Sequence, residues 1–231
     1  MALKALIFDV DGTLAETEEA HRKAFNATFA ANGIPWHWSR EDYRILLSTT
    51  GGKERMAAHQ RDLPEKLTPE QIVALHAEKT RRYAEILAGG GLRLRPGVAD
   101  LVARARAAGL KCAVATTTNL PNVAALTRAT WGAAPETIFD AIAAGDQVKA
   151  KKPAPDVFLL ALERLGLPAD ACLAFEDSRP GLASAQAAGL RVLVTPSVYT
   201  DGEDFSAADH VLPDLTHPLP DLLAEALDAR A

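Results

Sequence analysis

Six short apolar runs recur along the chain with almost no polar interruption, at residues 5–8, 112–115, 141–144, 172–175, 192–194 and 211–212. A strand buried on both faces reads this way, whereas a half-exposed strand alternates. The segments between the later runs have helical length and close on glycine. Residues 97–108 precede Gly109, 121–131 precede Gly132, 155–165 precede Gly166 and 180–188 precede Gly189, which predicts helices with glycine just past the last turn. Strand and helix in alternation predict an α/β fold, a Rossmann-like doubly wound parallel sheet.

One connection breaks the pattern. Between Leu14 and Arg95 no strand signal occurs, yet the texture is helical throughout. Residues 18–32 stop at Gly33, and 41–47 follow a Ser39 cap. Residues 53–61 follow Gly51-Gly52, and Thr68-Pro69-Glu70-Gln71 is a capping box that opens a helix to about residue 87. Gly89-Gly90-Gly91 at the exit has hinge composition. The expected organisation is a core domain of residues 1–15 and 96–231 and an inserted all-helical cap domain of residues 16–95, mobile over whatever lies at the first strand's end.

That end carries Asp9-Val10-Asp11-Gly12-Thr13 directly behind Leu6-Ile7-Phe8. Ligands of a parallel sheet bind at this edge. A carboxylate there can attack phosphorus and split one displacement into two, which assigns Asp9 as nucleophile. Two residues on, an extended chain points to the same side, so Asp11 can protonate the leaving oxygen and later deprotonate water. Carboxylate and phosphate repel, so positive charge must be imported, and magnesium held by oxygens is the expected means. Glu176-Asp177 ends another strand and offers Asp177 as a further ligand, with Glu176 beside it. Lys152 precedes Pro153, which aims it away from the following helix. Thr116 ends a strand and can donate its hydroxyl to a phosphoryl oxygen; Thr117, Thr118 and Asn119 follow with donors of their own and with value as helix caps.

Composition narrows the class. With 48% hydrophobic and 24% charged residues the chain reads as soluble and folded, and a net charge of −5 argues against nucleic-acid binding. Residues 16–95 hold 13 Lys and Arg against 11 Asp and Glu, while the remainder holds 12 against 19. The helical segment is thus the more hospitable part for an anion. No run approaches the about eighteen apolar residues of a membrane span, and the N-terminus enters a strand pattern at once, so a cytoplasmic protein is expected. Cys112 and Cys172 head apolar runs and read as buried reduced thiols. A monomer is expected.

Together the four segments resemble the haloacid-dehalogenase superfamily of phosphotransferases: Asp9-x-Asp11-Gly-Thr its first motif, Thr116 its second, Lys152 its third and Glu176-Asp177 its fourth. The resemblance implies an aspartyl-phosphate intermediate, magnesium held by Asp9, the backbone carbonyl of Asp11 and Asp177, and a C1-type cap for the helical insert. Residues 15–21, 50–55, 151–156 and 175–178 are similar to the CbbY and β-phosphoglucomutase branch. CbbY likeness implies phosphatase action on a small sugar bisphosphate, xylulose 1,5-bisphosphate above all, a by-product that inhibits carbon fixation. The mutase pattern has arginine where Glu54 aligns, which points away from a mutase.

A phosphatase of a bisphosphate needs the cap to hold the second phosphate. Lys53, Arg55 and Lys79 are the cations chosen for this, Gly51 and Gly52 let backbone approach the ligand, and Glu16 and His21 could bond sugar hydroxyls or position Asp11. The competing readings are a phosphosugar mutase and, from another class, a non-catalytic binding protein on the same fold. Trp36 and Trp38 are expected to pack, Trp131 and Phe158 to be buried, and His59, His76, His210 and His217 receive no role.

Overall fold

The structure, a computed structural model, describes residues 2–228. Met1 and residues 229–231, at the ends of the expected core domain, lie outside the described residues. The six apolar runs form β1 (Ala5–Phe8), β2 (Lys111–Ala115), β3 (Ala141–Ala143), β4 (Cys172–Glu176), β5 (Arg191–Val194) and β6 (His210–Val211). They make one sheet in the order β3-β2-β1-β4-β5-β6, with every neighbouring pair parallel. The connections reverse direction at β1, which opens a crevice beyond its C-terminal end. Phe8 is level with Val114 on one side and Phe175 on the other, so the residues after these three strands emerge side by side.

Between β1 and β2 the chain forms α1 (Glu18–Ala31), α2 (Arg40–Leu46), α3 (Gly52–His59) and α4 (Pro69–Ala88) before α5 (Val98–Ala107). Ser39 and Thr68 each accept from the third backbone N–H of their helix while Asp42 and Gln71 reach back to the cap, so α2 and α4 start where their capping boxes dictate. After β2 come α6 (Leu120–Trp131), the short α7 (Pro135–Ile138), α8 (Asp156–Leu165), α9 (Arg179–Ala187) and α10 (Asp221–Asp228).

Strand alternation sorts the core into two layers. Ala5 and Ile7 face Phe158 and Leu182, under α8 and α9; Leu6 and Phe8 face Leu101, Val123 and Leu223, under α5, α6 and α10. Phe8 stacks on Phe175 with ring centroids 4.6 Å apart. Each such buried ring contributes about 1.5–3 kcal/mol, so the strand ends that carry the acids rest on a stiff base. A third cluster, Phe25, Phe29, Trp38, Tyr43, Met56, Ile72 and Leu75, fills the helical segment, and Tyr199 joins it from beyond β5. Trp38 is fully buried there and Trp36 partly so. Trp131 is only half-buried, edge-on to Phe139, because α6 turns that face outward near its end; Phe158 is buried as expected. Both cysteines are free and buried. No helix among the described residues is long and apolar enough to cross a membrane.

Candidate active site

Asp9 follows β1 and its N–H donates to the Phe175 carbonyl at 3.0 Å, which continues the β1–β4 ladder and fixes the residue's direction. Its Oδ1 accepts from Lys152 Nζ at 2.6 Å, and the same ammonium donates to Glu176 Oε1 at 2.6 Å and to the Ala115 carbonyl at 2.9 Å. Lys152 therefore ties the tips of β1, β2 and β4 together. All three of its bonds are charge-assisted or desolvated, and all three partners are buried. Asp9, Glu176 and Asp177 each place a carboxylate oxygen within 4.8 Å of the others.

Three buried carboxylates around one ammonium leave an excess of negative charge. Burial, and then Glu176 and Asp11, push Asp9 up to about 8 against the pull of Lys152; burial with Asp9 and Glu176 pushes Asp177 well above its ordinary range. Lys152 is raised too, which keeps it charged: burial would lower it, but Asp9 and Glu176 outweigh that. A divalent cation would neutralise the cluster, and an all-oxygen donor set suits a hard one. Two glycines open the space these acids occupy. A Cβ on Gly12 would fall on the Asp177 carboxylate, and one on Gly181 would fall on the Glu176 carboxylate. The residues present thus fit a magnesium ion at Asp9, Glu176 and Asp177.

Asp11 sits apart from that cluster, engaged with the helical segment. Its Oδ1 accepts from Thr17 Oγ1 at 2.5 Å and from His21 Nε2 at 3.0 Å, and Lys79 Nζ donates to His21 Nδ1 at 2.6 Å. Burial would raise Asp11, but His21 and Thr17 overcome it and hold the carboxyl at about 2. Burial also drops Lys79 to about 7, and its ammonium lies 4.7 Å from the Phe25 ring centroid and 5.3 Å from that of Tyr83. His21 stacks on Tyr83 at 4.0 Å. Asp11 Oδ2 takes no hydrogen bond from the described residues, so that oxygen is free for chemistry.

Above these groups lies a cavity of about 1170 Å³ between the sheet edge and α1, α3 and α4. Asp9, Asp11, Asp177, Lys152, Thr117, Thr118 and Asn119 line its floor; Gly51, Gly52, Lys53, Arg55, His21 and Lys79 line its helical wall. Several of these side chains are already engaged. Arg55 donates to Tyr43 Oη at 2.8 Å and to the Leu46 carbonyl at 3.2 Å. Asn119 caps α6 through the Asn122 N–H at 3.0 Å and donates to Thr80 Oγ1 at 3.1 Å, while Thr118 Oγ1 accepts from Asn122. Thr116 is buried at the end of β2, beneath the cavity floor, and accepts from the Thr118 N–H at 3.2 Å.

Glu16 is not brought to the cavity wall. Arg95 holds it at 3.3 Å and the Val198 N–H donates to it at 3.4 Å. Reasoning from sequence missed Thr17, Glu18, His76 and Tyr199. Thr17 stands six residues past Asp11, within reach of its carboxylate only once the chain turns into α1. His76 lines the cavity with Lys53; its place one turn before Lys79 on α4 was the available signal.

A family profile described as haloacid dehalogenase-like hydrolase matches residues 3–189. The chain is 62% identical over 226 residues to protein CbbY of Rhodobacter capsulatus, covering 96% of this chain and 100% of that one. It is 32% identical over 189 residues to a phosphorylated carbohydrates phosphatase of Thermotoga maritima, covering 81% and 82%. Among solved structures, a mutant CbbY from Rhodobacter sphaeroides in complex with xylulose-(1,5)bisphosphate superposes with a TM-score of 0.91 at 52% identity, over 93% of this chain and 96% of that one.

Proposed function

The chain belongs to the haloacid dehalogenase-like hydrolases and is a phosphoric monoester hydrolase, and from that premise we propose that it removes one phosphate from a small sugar bisphosphate, xylulose 1,5-bisphosphate above others, through an aspartyl-phosphate. The observation that carries the reading is the meeting of Asp9, Lys152, Glu176 and Asp177 at the sheet edge, under a cavity whose opposite wall carries Lys53 and Lys79. One end of the cavity supplies a nucleophile and the other supplies charge for a second phosphate.

Asp9 attacks phosphorus in line, and the bond from phosphorus to the sugar oxygen breaks as the bond to Asp9 forms. Asp11 is ionised in the resting site, so it must take up a proton as the anionic substrate binds beside it, and it then hands that proton to the departing sugar oxygen through the carboxylate edge that Thr17 and His21 leave free. Water then attacks the aspartyl-phosphate, Asp11 takes its proton, and inorganic phosphate and free Asp9 result. Lys152 keeps Asp9 aimed and offsets its charge. Asp9, Glu176, Asp177 and the main-chain carbonyl of Asp11 would hold magnesium, which when bound neutralises the transferring phosphoryl group. Contacts of the helical wall with the distal phosphate exclude water and orient the sugar, so binding energy far from the reacting bond serves the chemical step. Such a place suits disposal of a sugar by-product that inhibits carbon fixation.

The test is Asp9→Asn. Phosphate release from xylulose 1,5-bisphosphate in magnesium should fall by about 10³-fold or more with the circular dichroism spectrum unchanged. Release at near the unsubstituted rate would end the reading.

A further inference from the structure

Tyr199 belongs to the chain segment that follows β5, yet its ring is seated in the apolar cluster of the helical segment, the one member of that cluster, among the described residues, from outside residues 18–88. It stands edge-on to Tyr43 with centroids 5.8 Å apart, and its Oη donates to Glu19 Oε2 on α1 at 2.8 Å. The preceding residue holds α2 as well, because the Val198 carbonyl accepts from Arg44 Nη2 at 2.8 Å. The following residue reaches the acids: Thr200 Oγ1 lies 3.4 Å from Asp177 Oδ2 and also accepts from the Ser197 N–H at 2.9 Å. Arg95 fixes the base of this segment, donating to the Pro196 carbonyl at 2.7 Å and to the carbonyl of Gly12.

We propose that residues 195–200 act as a strap between the Asp177 carboxylate and the helical segment, with Tyr199 as its positioning residue. Seating of α1 and α2 over the cavity and placement of Asp177 then become one event. By reciprocity, whatever fixes Asp177 must steady α2 to the same degree that seating of α2 steadies Asp177. The consequence deepens the phosphatase reading, on which its catalytic half rests. A substrate long enough to engage the helical wall sets Asp177 for catalysis, and a phosphate ester too short to reach it does not. Glu19 also pairs with Arg22 and Arg40, so the hydroxyl of Tyr199 and the burial of its ring are the strap's distinctive hold.

The test begins with Mg²⁺ alone and amide hydrogen exchange. In the unsubstituted protein Mg²⁺ should slow exchange across Arg40–Leu46 by about fivefold or more, the scale of one net hydrogen bond. In Tyr199→Ala that protection should vanish while the Mg²⁺ effect at residues 176–178 and the slow exchange of β1 persist. Tyr199→Phe keeps the ring and loses only the bond to Glu19, so it should lose part of the protection and covers the case in which the alanine variant folds poorly. Turnover supplies the second readout: kcat/KM for the sugar bisphosphate should fall about tenfold in Tyr199→Phe, with p-nitrophenyl phosphate changed by less than about twofold. Equal protection of Arg40–Leu46 with and without Tyr199, no protection in the unsubstituted protein, or an equal loss on both substrates overturns the strap. Continued turnover of Asp9→Asn would remove the phosphatase reading and leave the exchange result standing on its own.

Discussion

His76 sets its imidazole against the backbone of Gly52, so closely that a Cβ there would come within 2.7 Å of Nε2. Burial first, and then Lys79, Lys53, His21 and Lys151, drop its pKa from the ordinary 6.5 to about 3. The sign of the effect on stability follows from where each state takes up the proton. Above pH 6.5 neither state is protonated and the ring contributes nothing. Below it the unfolded chain binds a proton that the folded one refuses until about 3, so stability falls as pH drops through that window. At pH 5 the loss is about 2 kcal/mol. Urea titrations at pH 7.5 and pH 5 should therefore show His76→Gln losing about 2 kcal/mol less between the two pH values than the unsubstituted protein. Identical losses would mean that the ring is protonated in the fold. The same crowding of cations makes this wall receptive to an anion, which is why a histidine with no ligand spacing in the sequence still belongs to the cavity.

At the scale of elements, α9 shows local propensity giving way to the site. Gly181 lies in its first turn, where alanine would favour the helix by about 1 kcal/mol. A Cβ there falls on the Glu176 carboxylate, which is fully buried and bonded to Lys152 at 2.6 Å. Displacing one partner of a buried ion pair costs about 3 kcal/mol or more, so the site wins. Gly181→Ala should lower stability by about 2–3 kcal/mol in thermal unfolding and depress phosphate release; a rise in stability would show that Glu176 moves aside freely. Signals of this local kind are what the sequence displays. Capping boxes at Ser39 and Thr68 and left-handed glycines at Gly132 and Gly166 placed helix ends to within a residue or two. Continuous apolar runs likewise placed the strands, and hence the level at which Asp9, Lys152 and Glu176-Asp177 meet. Helix α10 went unread although its residues Leu222, Leu223 and Leu227 are apolar, because so short a segment acquires meaning only where Leu223 and Leu227 pack against the sheet. Tyr199 and Thr17 were hidden for a similar reason: each acts through a contact made by a loop or a helix start, which no periodicity records.

For the whole molecule the carboxylates at the sheet edge set stability against function. Asp177 is buried beside Asp9 and Glu176, and one ammonium, from Lys152, stands against all three. Without a cation the folded state carries their repulsion, which the unfolded chain relieves in water. Magnesium at a hundred times its dissociation constant should stabilise the fold by about 2.7 kcal/mol, or about 5–10 °C in Tm for a chain of this length. Asp177→Asn keeps the shape and the Thr200 contact while removing one charge. In EDTA at pH 8 it should be more stable than the unsubstituted protein by about 1–2 kcal/mol, and magnesium should add little to it. The rank order of the two proteins should thus reverse between EDTA and saturating magnesium. If the unsubstituted protein is the more stable in both, the carboxylates are not in conflict, and the electrostatic case for a cation among Asp9, Glu176 and Asp177 fails.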